Sequence, residues 1–357
     1  MKNAFCLDMP NEQTWQQACA LRRSYWGNAV FLRGIIEFSN YCKQNCLYCG
    51  LRRDNTKLVR YRLTPEAIVE AVADIAALDI GTVVLQSGED PHYDGPTLAA
   101  IVSAIKKRFG LAVTLSVGKR EVADYALWRE AGADRYLLKM ETFDQNLHAR
   151  LRPDCSLVAR LRAFECLTTL GYEAGTGLIA GLPGETPDST EQDMTELARM
   201  QADMVSISPF TPHPDTPLGT FPACSPETAL HRMALARIAT PSAHIPVTSA
   251  LGLHGDALRL RGLEVGDVLM LSFTPEKVRT AYAIYPGKNV TATPPLERAE
   301  AMKTMLLQHG FSLPSGAGSK HVAATPPLER AATIKAMLLQ HGFSLPSGAE
   351  STLKEKI

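Results

Sequence analysis

Short apolar runs alternate with amphipathic stretches along most of this chain, and this alternation restricts its fold more than any other feature. The alternation recurs about eight times between Val30 and Pro286. The apolar runs are short and often β-branched, which is typical of strands buried on both faces. Because strands that alternate with helices pair in parallel through right-handed crossovers, eight such units predict an α/β fold, the (β/α)8 TIM barrel. The predicted strands are VFLRGIIEFS, GTVVLQSG, LAVTLSVG, DRYLLKME, EAGTGLIAGL, DMVSISPF, IPVTSAL and DVLMLSF.

Helix boundaries between these strands carry their own signals. Thr64 stands directly before Pro65, and Ser225 directly before Pro226, as a capping residue and a first helical residue should. The stretch DGPTLAAIVSAIKKRFG ends in a basic turn and Gly110, a helix stop. A doubly wound open sheet is the alternative fold, but no G-x-G-x-x-G follows the first strand, which argues against it.

The overall composition is that of an ordinary globular protein. The chain has 357 residues, zero net charge and 45% hydrophobic residues. This charge balance gives no reason to expect nucleic acid or an acidic membrane as a partner. The sequence contains neither a signal-peptide pattern nor an apolar run of about 20 residues, which a membrane-spanning helix needs. We therefore expect a cytoplasmic protein.

The two ends of the chain lie outside the barrel pattern. Residues 1–29 are predicted to form an N-terminal helical extension, residues 30–290 the barrel, and residues 291–357 a C-terminal helical segment. That segment is a tandem duplication, because ATPPLERAEAMKTMLLQHGFSLPSG from Ala292 recurs almost unchanged from Ala324, 32 residues later. Two copies are too few for a solenoid. We expect one copy to pack on the barrel and the other to be redundant.

Three cysteines follow the first predicted strand in a C-x3-C-x2-C array, at Cys42, Cys46 and Cys49. A structural zinc site needs four ligands, and neither His92 nor Cys155 completes a second ligand pair in register. Three thiolates suit an iron–sulfur cube in which one iron keeps an open position for a small chelating molecule. In a barrel the loop after the first strand lies at the carboxyl ends of the strands, where active sites are built.

The array, with an aromatic Tyr48 just before the third cysteine, resembles the motif of the radical SAM superfamily. The stretches IIEFSNYCKQNCLYCGLRRDN, VLQSGEDP, AGADRYLLKMET, GLPGET, PFTPHPDTPL and YPGK resemble the HydE family of FeFe-hydrogenase maturases. This likeness runs from about Phe31 to Lys288. Biotin synthase and methylornithine synthase share the barrel and the cysteine spacing. The resemblance implies a radical-SAM type of barrel, with a 4Fe–4S cluster and S-adenosylmethionine as cofactors.

The resemblance also implies roles for individual residues. Cys42, Cys46 and Cys49 would ligate the cluster. Residues expected to contact S-adenosylmethionine are Tyr48, Ser87, Gly88, Glu89, Asp90, Thr114, Glu141, Arg160 and Met204. Residues expected around the substrate, and thus in catalysis, are Arg33, Gln86, Arg135, Thr248, Ser249, Met270 and Tyr285.

The chemistry of two residue types supports part of this assignment. Arg160 is suited to a carboxylate, since its planar fork donates two parallel hydrogen bonds. Arginines inside a barrel, such as Arg33 and Arg135, are costly unless they are paired or bound to an anion, and they suggest an anionic substrate. A glycine at position 88 would let a ligand approach the backbone closely.

The implied function is cleavage of S-adenosylmethionine to a 5′-deoxyadenosyl radical during assembly of the hydrogenase active-site cluster. The implied substrate is a small organometallic molecule, an iron-bound cysteine with carbon monoxide and cyanide, attacked at its sulfur. Partners would be fellow maturases and an electron donor such as ferredoxin or flavodoxin. Two alternatives stay open: another radical SAM reaction, such as methylornithine or biotin synthesis, and a non-catalytic iron–sulfur carrier or scaffold.

Two departures from the family pattern are visible. No cysteine follows Cys224, so the second cluster of some HydE proteins is not expected here. Met140 stands where close relatives would have histidine, which affects that side chain but not the neighbouring Glu141.

Overall fold

Eight parallel strands form one sheet that curls into a nearly closed barrel in the computed structural model, which describes residues 12–290 and 293–315. The spatial order is β6-β5-β4-β3-β2-β1-β8-β7. A single parallel bridge between Met204 and His244 joins the two remaining edges, where the Val205 N–H donates to the His244 carbonyl at 2.9 Å. The predicted (β/α)8 barrel is confirmed, and the open-sheet alternative is wrong because the edges meet. The strands are β1 Phe31–Ser39, β2 Thr82–Ser87, β3 Ala112–Ser116, β4 Arg135–Leu137, β5 Glu173–Ala180, β6 Met204–Pro209, β7 Pro246–Val247 and β8 Val268–Ser272.

Helices surround the barrel and cover the outer faces of its strands. The buried apolar core lies between the strands and the ring of helices, with residues such as Val83, Leu85 and Leu115 fully buried. The helices are α1 Glu12–Trp26, α2 Pro65–Ala77, α3 Gly95–Phe109, α4 Val122–Glu130, α5 Gln145–Leu151, α6 Leu157–Thr169, α7 Pro187–Met200, α8 Pro226–Ala239, α9 Ser249–Gly252, α10 Asp256–Leu263, α11 Glu276–Arg279 and α12 Pro295–Gln308.

The capping signals in the sequence act as predicted. The Thr64 hydroxyl accepts from the Ala67 N–H at the start of α2, and the Ser225 hydroxyl caps α8 in the same way. Gly110 ends α3 with a φ of +67°, a left-handed conformation that costs glycine nothing.

All eight strands are shorter than the predicted runs, and the difference is largest for the fourth and the seventh. The seventh was predicted across IPVTSAL, but β7 stops at Val247 because the Thr248 side chain caps the short helix α9, which uses the rest of that run. The fourth stops at Leu137, after which the Met140 and Glu141 N–H groups both donate to the Gly177 carbonyl. Both breaks occur at the carboxyl ends of strands, beside the large cavity described below.

The ends of the chain pack against the barrel through helices α1 and α12. In α1, Arg22 donates through Nε to the Gly266 carbonyl at 3.1 Å. In α12, which belongs to the first copy of the duplication, Ala299 and Leu306 are buried and Arg298 donates to the Ser272 carbonyl at 2.7 Å. The second copy lies outside the described residues. The division of the chain at residues 29/30 and 290/291 stays a prediction.

None of the helices in residues 12–290 and 293–315 combines the length and apolar character that crossing a membrane requires.

Candidate active site

A cavity of about 1010 Å³ opens at the carboxyl ends of the barrel strands. Its wall includes Cys42, Cys46 and Cys49 from the loop after β1, together with residues in or after each of the other seven strands. Of the residues predicted from the sequence, those that line it are Cys42, Cys46, Tyr48, Cys49, Gln86, Ser87, Gly88, Glu89, Glu141, Arg160, Thr248, Ser249, Met270 and Tyr285.

The loop that bears the cysteines is held in shape by backbone acceptors and one arginine. The Arg60 guanidinium donates to the carbonyls of Asn40 at 2.5 Å, Leu51 at 2.9 Å, Arg52 at 2.7 Å and Asn55 at 3.3 Å. A guanidinium with four carbonyl acceptors on one loop fixes the loop geometry, because its planar fork cannot adapt to other arrangements.

The three thiols are buried or half-buried on the cavity wall. Burial, with the neighbouring thiols as a lesser cause, raises the pKa of Cys49 well above its ordinary value. Burial also raises the pKa of Cys42 to about 11, although the Glu89 N–H donates to its Sγ at 3.3 Å. Within the described part of the chain, no three His, Cys, Asp or Glu side chains converge closely enough to hold a single metal ion. All three cysteines nevertheless line the same cavity.

The cysteine loop packs so closely against position 88 that only glycine fits there. A Cβ at this position would lie 2.2 Å from the Tyr41 carbonyl oxygen and 2.7 Å from the Cys42 Cβ. The close approach predicted at this glycine exists, but the group that approaches is the cysteine loop. The stretch QSGED therefore packs the end of β2 directly against the first thiol.

Glu89 and Arg160 form a buried ion pair beside the cysteines. Arg160 Nη1 lies 3.1 Å from Glu89 Oε1, and Gln44 donates to the other carboxylate oxygen at 2.6 Å. Burial alone would raise the pKa of Glu89, but Arg160, the Lys119 N–H and Gln44 outweigh it, so this pKa is lowered. Glu89 is therefore ionised at neutral pH. Arg160 also donates to the Lys139 carbonyl at 2.9 Å, which fixes its orientation.

Glu141 has a conformation that is unusual for a residue with a side chain. Its φ is +72°, in the left-handed region, and its backbone is held there by bonds to Gly177 and Ile179 on β5. Its Oε2 lies 3.1 Å from Lys139 Nζ but accepts no hydrogen bond of good geometry from the residues described. Strain of this kind concentrates at functional sites, and here it presents a carboxylate with spare acceptor capacity to the cavity.

Asp90, unlike its neighbour Glu89, does not line the cavity. Its side chain is fully buried and accepts from Arg62 through both oxygens, at 2.7 and 2.9 Å, and from the Ser39 hydroxyl at 2.7 Å. Its carboxylate is thus occupied by the protein, and the expected direct contact with a cofactor does not agree with this placement. Asp90 instead braces the turn that carries Gly88 and Glu89.

A second, much smaller cavity of about 20 Å³ lies deeper in the barrel. Thr114, Met204 and Arg33 line it rather than the large cavity, and Met270 borders both. Arg33 donates to the Met204 sulfur at 3.1 Å, and burial together with the nearby charge of Arg135 lowers its pKa to about 9. The side chains of Thr114 and Met204 are thus one layer away from the cysteines, because strand residues that point inward stack in layers along the barrel axis.

Arg135 lines neither cavity. It is buried at the far side of this layer and pairs with Glu173 at 2.5 Å and with the Thr82 hydroxyl at 3.1 Å. The buried Arg135 has an anionic partner, as its burial requires, and that partner is Glu173 of the protein itself. A direct contact between Arg135 and a substrate in the large cavity does not agree with this geometry.

Three neighbouring hydroxyl groups lie on the wall of the large cavity. The Ser249 hydroxyl and the Tyr285 hydroxyl lie 2.5 Å apart, and Thr248 stands beside them as the cap of α9. Gln86 and Met270 line the same cavity. The structure thus places these five residues on the wall of one cavity, and their contact with a substrate stays a prediction.

Several charged residues of the cavity wall were not identified from the sequence. Lys139 and Arg152 line it, as do Glu37 and Lys288, which form a buried ion pair of 3.0 Å. Glu37 could have been noticed, since a carboxylate in the middle of the apolar strand IIEFS demands a buried partner. Arg152 carried no such signal, because it belongs to a loop more than a hundred residues after the cysteines.

The chain is similar to known proteins in sequence. The sequence profile of the Radical SAM superfamily matches residues 36–197. The FeFe-hydrogenase maturase subunit HydE of Thermotoga maritima is 48% identical over 279 residues, which make up 78% of this chain and 80% of that protein. The 3-methylornithine synthase of Methanosarcina acetivorans is 31% identical, over 74% of this chain and 75% of its own length.

Solved structures share the architecture. The crystal structure of methylornithine synthase PylB has a TM-score of 0.72 and 27% identity, covering 85% of this chain and 89% of that one. The maturase HydG of Carboxydothermus hydrogenoformans also has a TM-score of 0.72, with 96% of this chain and 86% of that chain covered, but its 19% identity speaks for the fold alone.

Proposed function

This chain belongs to the HydE family of FeFe-hydrogenase maturases, within the radical SAM superfamily, and from that premise we propose how its own residues serve the reaction. Membership makes it a radical SAM enzyme of hydrogenase maturation, with a 4Fe–4S cluster and S-adenosylmethionine as cofactors. One observation supports the proposal above all: the three cysteines share one cavity with six of the nine residues expected around S-adenosylmethionine, namely Tyr48, Ser87, Gly88, Glu89, Glu141 and Arg160.

Cys42, Cys46 and Cys49 would hold the cluster. Thiolates are the normal ligands of such clusters, and all three cysteines line one cavity. The Glu89 N–H already donates to the Cys42 sulfur, as it would to a thiolate. When bound, the cluster and S-adenosylmethionine supply a 5′-deoxyadenosyl radical after one-electron reduction.

Ser87, Gly88, Glu89, Glu141 and Arg160 would bind the methionine and ribose parts of S-adenosylmethionine. The spare acceptor capacity of Glu141 suits hydroxyl donors, and Arg160 adds a fixed positive charge beside the cysteines. Tyr48 would contribute from the cysteine loop. We propose that Asp90, Thr114 and Met204 act indirectly, by fixing the turn at Gly88 or by packing behind the cavity wall.

The substrate that we propose is a small iron-bound cysteine with carbon monoxide and cyanide. A cavity of about 1010 Å³ has room for such a molecule beside S-adenosylmethionine. Thr248, Ser249 and Tyr285 would orient it with their hydroxyl groups, and Gln86 and Met270 would contact it. Arg33 and Arg135 lie deeper and would contribute positive potential rather than direct contact.

Partners follow from the same assignment. A fellow maturase would supply the substrate and another would take the product. A low-potential protein such as ferredoxin or flavodoxin would provide the electron.

The decisive test is anaerobic reconstitution of the chain with iron and sulfide, followed by dithionite and S-adenosylmethionine. The parent protein should form 5′-deoxyadenosine, and Cys46→Ser should not. A fully loaded cluster without 5′-deoxyadenosine would contradict the proposal. Transfer of the cluster to an acceptor, with no spectral response to S-adenosylmethionine, would favour a carrier instead.

Methylornithine synthesis is the second candidate, since a 3-methylornithine synthase is 31% identical to this chain. The 48% identity to a HydE protein favours hydrogenase maturation. Incubation of the reconstituted enzyme with lysine separates the two, because only a methylornithine synthase would consume it. Dethiobiotin serves as the corresponding probe for biotin synthesis.

A further inference from the structure

Arg152 is a buried cation on the cavity wall that the proposed cofactor contacts leave unused. It follows α5 directly and is only 5% exposed. The Leu47 N–H, between the second and third cysteines, donates to the carbonyl of Leu151 at 2.9 Å. The backbone beside Arg152 is therefore fastened to the cysteine loop.

The guanidinium of Arg152 has donors to spare. Its Nε and Nη1 atoms are buried and have no hydrogen-bond partner among residues 12–290 and 293–315. This contrasts with Arg60, whose donors reach four carbonyls, and with Arg160, which is paired with Glu89. An arginine stays protonated in proteins, and a buried charge without acceptors is costly. Arg152 also lines the cavity, so a group bound there can supply acceptors for its guanidinium.

The anionic side chains near Arg152 are already matched with other cations. Glu89 is paired with Arg160, and Glu141 lies 3.1 Å from Lys139 Nζ. Each of these two carboxylates thus has another cation as its ion-pair partner.

The other groups close enough to act on the charge of Arg152 are Tyr48, the sulfur atoms of Cys46 and Cys155, and His148. Burial, helped by the charges of Arg152 and Arg160, lowers the pKa of His148 to about 3. This histidine is therefore neutral and neither adds to nor cancels the positive charge at the Cys46 side of the cavity.

We propose that Arg152 donates to the sulfur atoms of the cluster near Cys46 and raises the reduction potential of the cluster. The inference rests on the presence of the cluster that the family implies. One-electron reduction by an external donor makes the cluster more negative by one charge, and Arg152 keeps its protons throughout. A fixed cation in a buried site stabilises the more negative state, and hydrogen bonds to cluster sulfurs tune the potential in the same direction.

The test compares midpoint potentials of the reconstituted cluster, measured by redox titration with electron paramagnetic resonance, in the absence of S-adenosylmethionine. Arg152→Gln should lower the equilibrium constant for reduction at least about tenfold, or ~59 mV for one electron. Arg152→Lys, which keeps the charge, should recover most of that loss. The matched control is Arg53→Gln in the cysteine loop, whose side chain is 53% exposed and should leave the potential unchanged because water screens it.

A second measurement uses the parent protein and does not depend on loading the glutamine variant. With ¹⁵N-labelled arginine side chains, pulsed electron paramagnetic resonance of the reduced cluster should show a nitrogen coupling that disappears in Arg152→Lys. Absence of that coupling, or equal potentials in the parent and Arg152→Gln, overturns the inference. So does an unchanged potential with weakened binding of S-adenosylmethionine, which would assign Arg152 to the carboxylate of that molecule. If the parent signal does not respond to S-adenosylmethionine at all, the proposed function fails, whatever the variants do.

Discussion

At the scale of single residues, the cavity depends on a few charged groups that the fold holds in costly positions. Glu141 has a left-handed backbone, and Glu37 and Lys288 are buried as an ion pair. Each arrangement lowers stability unless neighbouring groups compensate for it. Glu141 has bonds to β5, whereas Glu37 also accepts from Ser272 at 2.8 Å and from Thr274. Such residues are where a substitution separates function from folding most clearly.

Glu141→Gln should weaken binding of S-adenosylmethionine about tenfold, or ~1.4 kcal/mol, because a hydrogen bond to a charged acceptor is lost. The iron content should stay at the parent level, since Glu141 is not a ligand. Titration calorimetry with the reconstituted protein measures the affinity. Glu130→Gln, on the exposed end of α4, is the control and should bind normally. Loss of iron in Glu141→Gln would show that this residue supports the cluster instead.

Lys288→Met should destabilise the protein by about 3–5 kcal/mol, because it leaves the fully buried Glu37 carboxylate without its cation. The double variant Glu37→Met with Lys288→Met should be more stable than this single variant, since no isolated charge remains. Urea denaturation at neutral pH measures both. A double variant that is less stable than Lys288→Met would contradict the account.

The same ion pair predicts a pH dependence. Burial would raise the pKa of Glu37, but Lys288 and the hydroxyl donors outweigh it and the pKa lies below the ordinary 4.5. Burial would lower the pKa of Lys288, but Glu37 outweighs it and the pKa lies above the ordinary 10.5. The pair therefore makes its full contribution to the free energy of unfolding between pH 4.5 and pH 10.5. This contribution falls below pH 4.5 as Glu37 is protonated, and above pH 10.5 as Lys288 loses its proton. Denaturation of the parent and the double variant across that range measures the difference.

At the scale of elements, the cysteine loop is the part whose order determines the site. It has no regular secondary structure, and Arg60 donates to four carbonyls in it or directly beside it. Gly88 at the end of β2 leaves room for it, and α5 accepts a bond from it through Leu151. The loop therefore has its conformation because Arg60, the end of β2 and the end of α5 all contact it.

Arg60→Gln should reduce iron retention severalfold while most of the barrel remains folded. Four carbonyls lose a charged donor, which favours opening of the loop by about 3 kcal/mol or more. Iron per protein after gel filtration, together with the far-ultraviolet circular dichroism spectrum, separates the local effect from global unfolding. Arg53→Gln should retain iron as the parent does, and a loss equal to that of Arg60→Gln would contradict this role.

At the scale of the whole molecule, the barrel is one continuous structure to which helices are added at both ends. The first copy of the C-terminal duplication packs against β8 through Ala299, Leu306 and Arg298. The second copy has the same residue types at the equivalent positions, Ala331, Leu338 and Arg330. The two copies thus carry the same set of docking residues.

Deletion of residues 292–323, one complete repeat, should leave a folded enzyme in which the second copy occupies the position of α12. Among the side chains of α12 that pack on the core, Met302 becomes Ile334, a swap that usually costs less than ~1.5 kcal/mol. The midpoint of thermal unfolding should therefore change by less than about 6 °C. The control is deletion from residue 292 to the end, which removes both copies and should destabilise the protein more. Equal losses in the two deletions would show that the second copy cannot replace the first.

Much of this architecture was predictable from the sequence. The alternation of apolar runs and helices predicted eight strands, and Thr64, Ser225 and Gly110 marked helix boundaries correctly, because capping depends on a few adjacent residues. The ends of β4 and β7 were missed, since a strand ends where its hydrogen bonds do, and those involve Gly177 on another strand or the Thr248 cap of α9.

The sequence by itself determined the alternation of strands and helices along the chain, and therefore the barrel. It also determined the spacing of Cys42, Cys46 and Cys49 within one short loop. Only the tertiary structure decided which charges meet. Glu89 and Asp90 are neighbours, yet one borders the cavity and the other pairs with Arg62 behind it. Arg152 reaches the cysteines from a loop after the fourth strand. Local spacing acts through backbone geometry over a few residues, whereas ion pairing depends on distances in space that only the closed barrel sets.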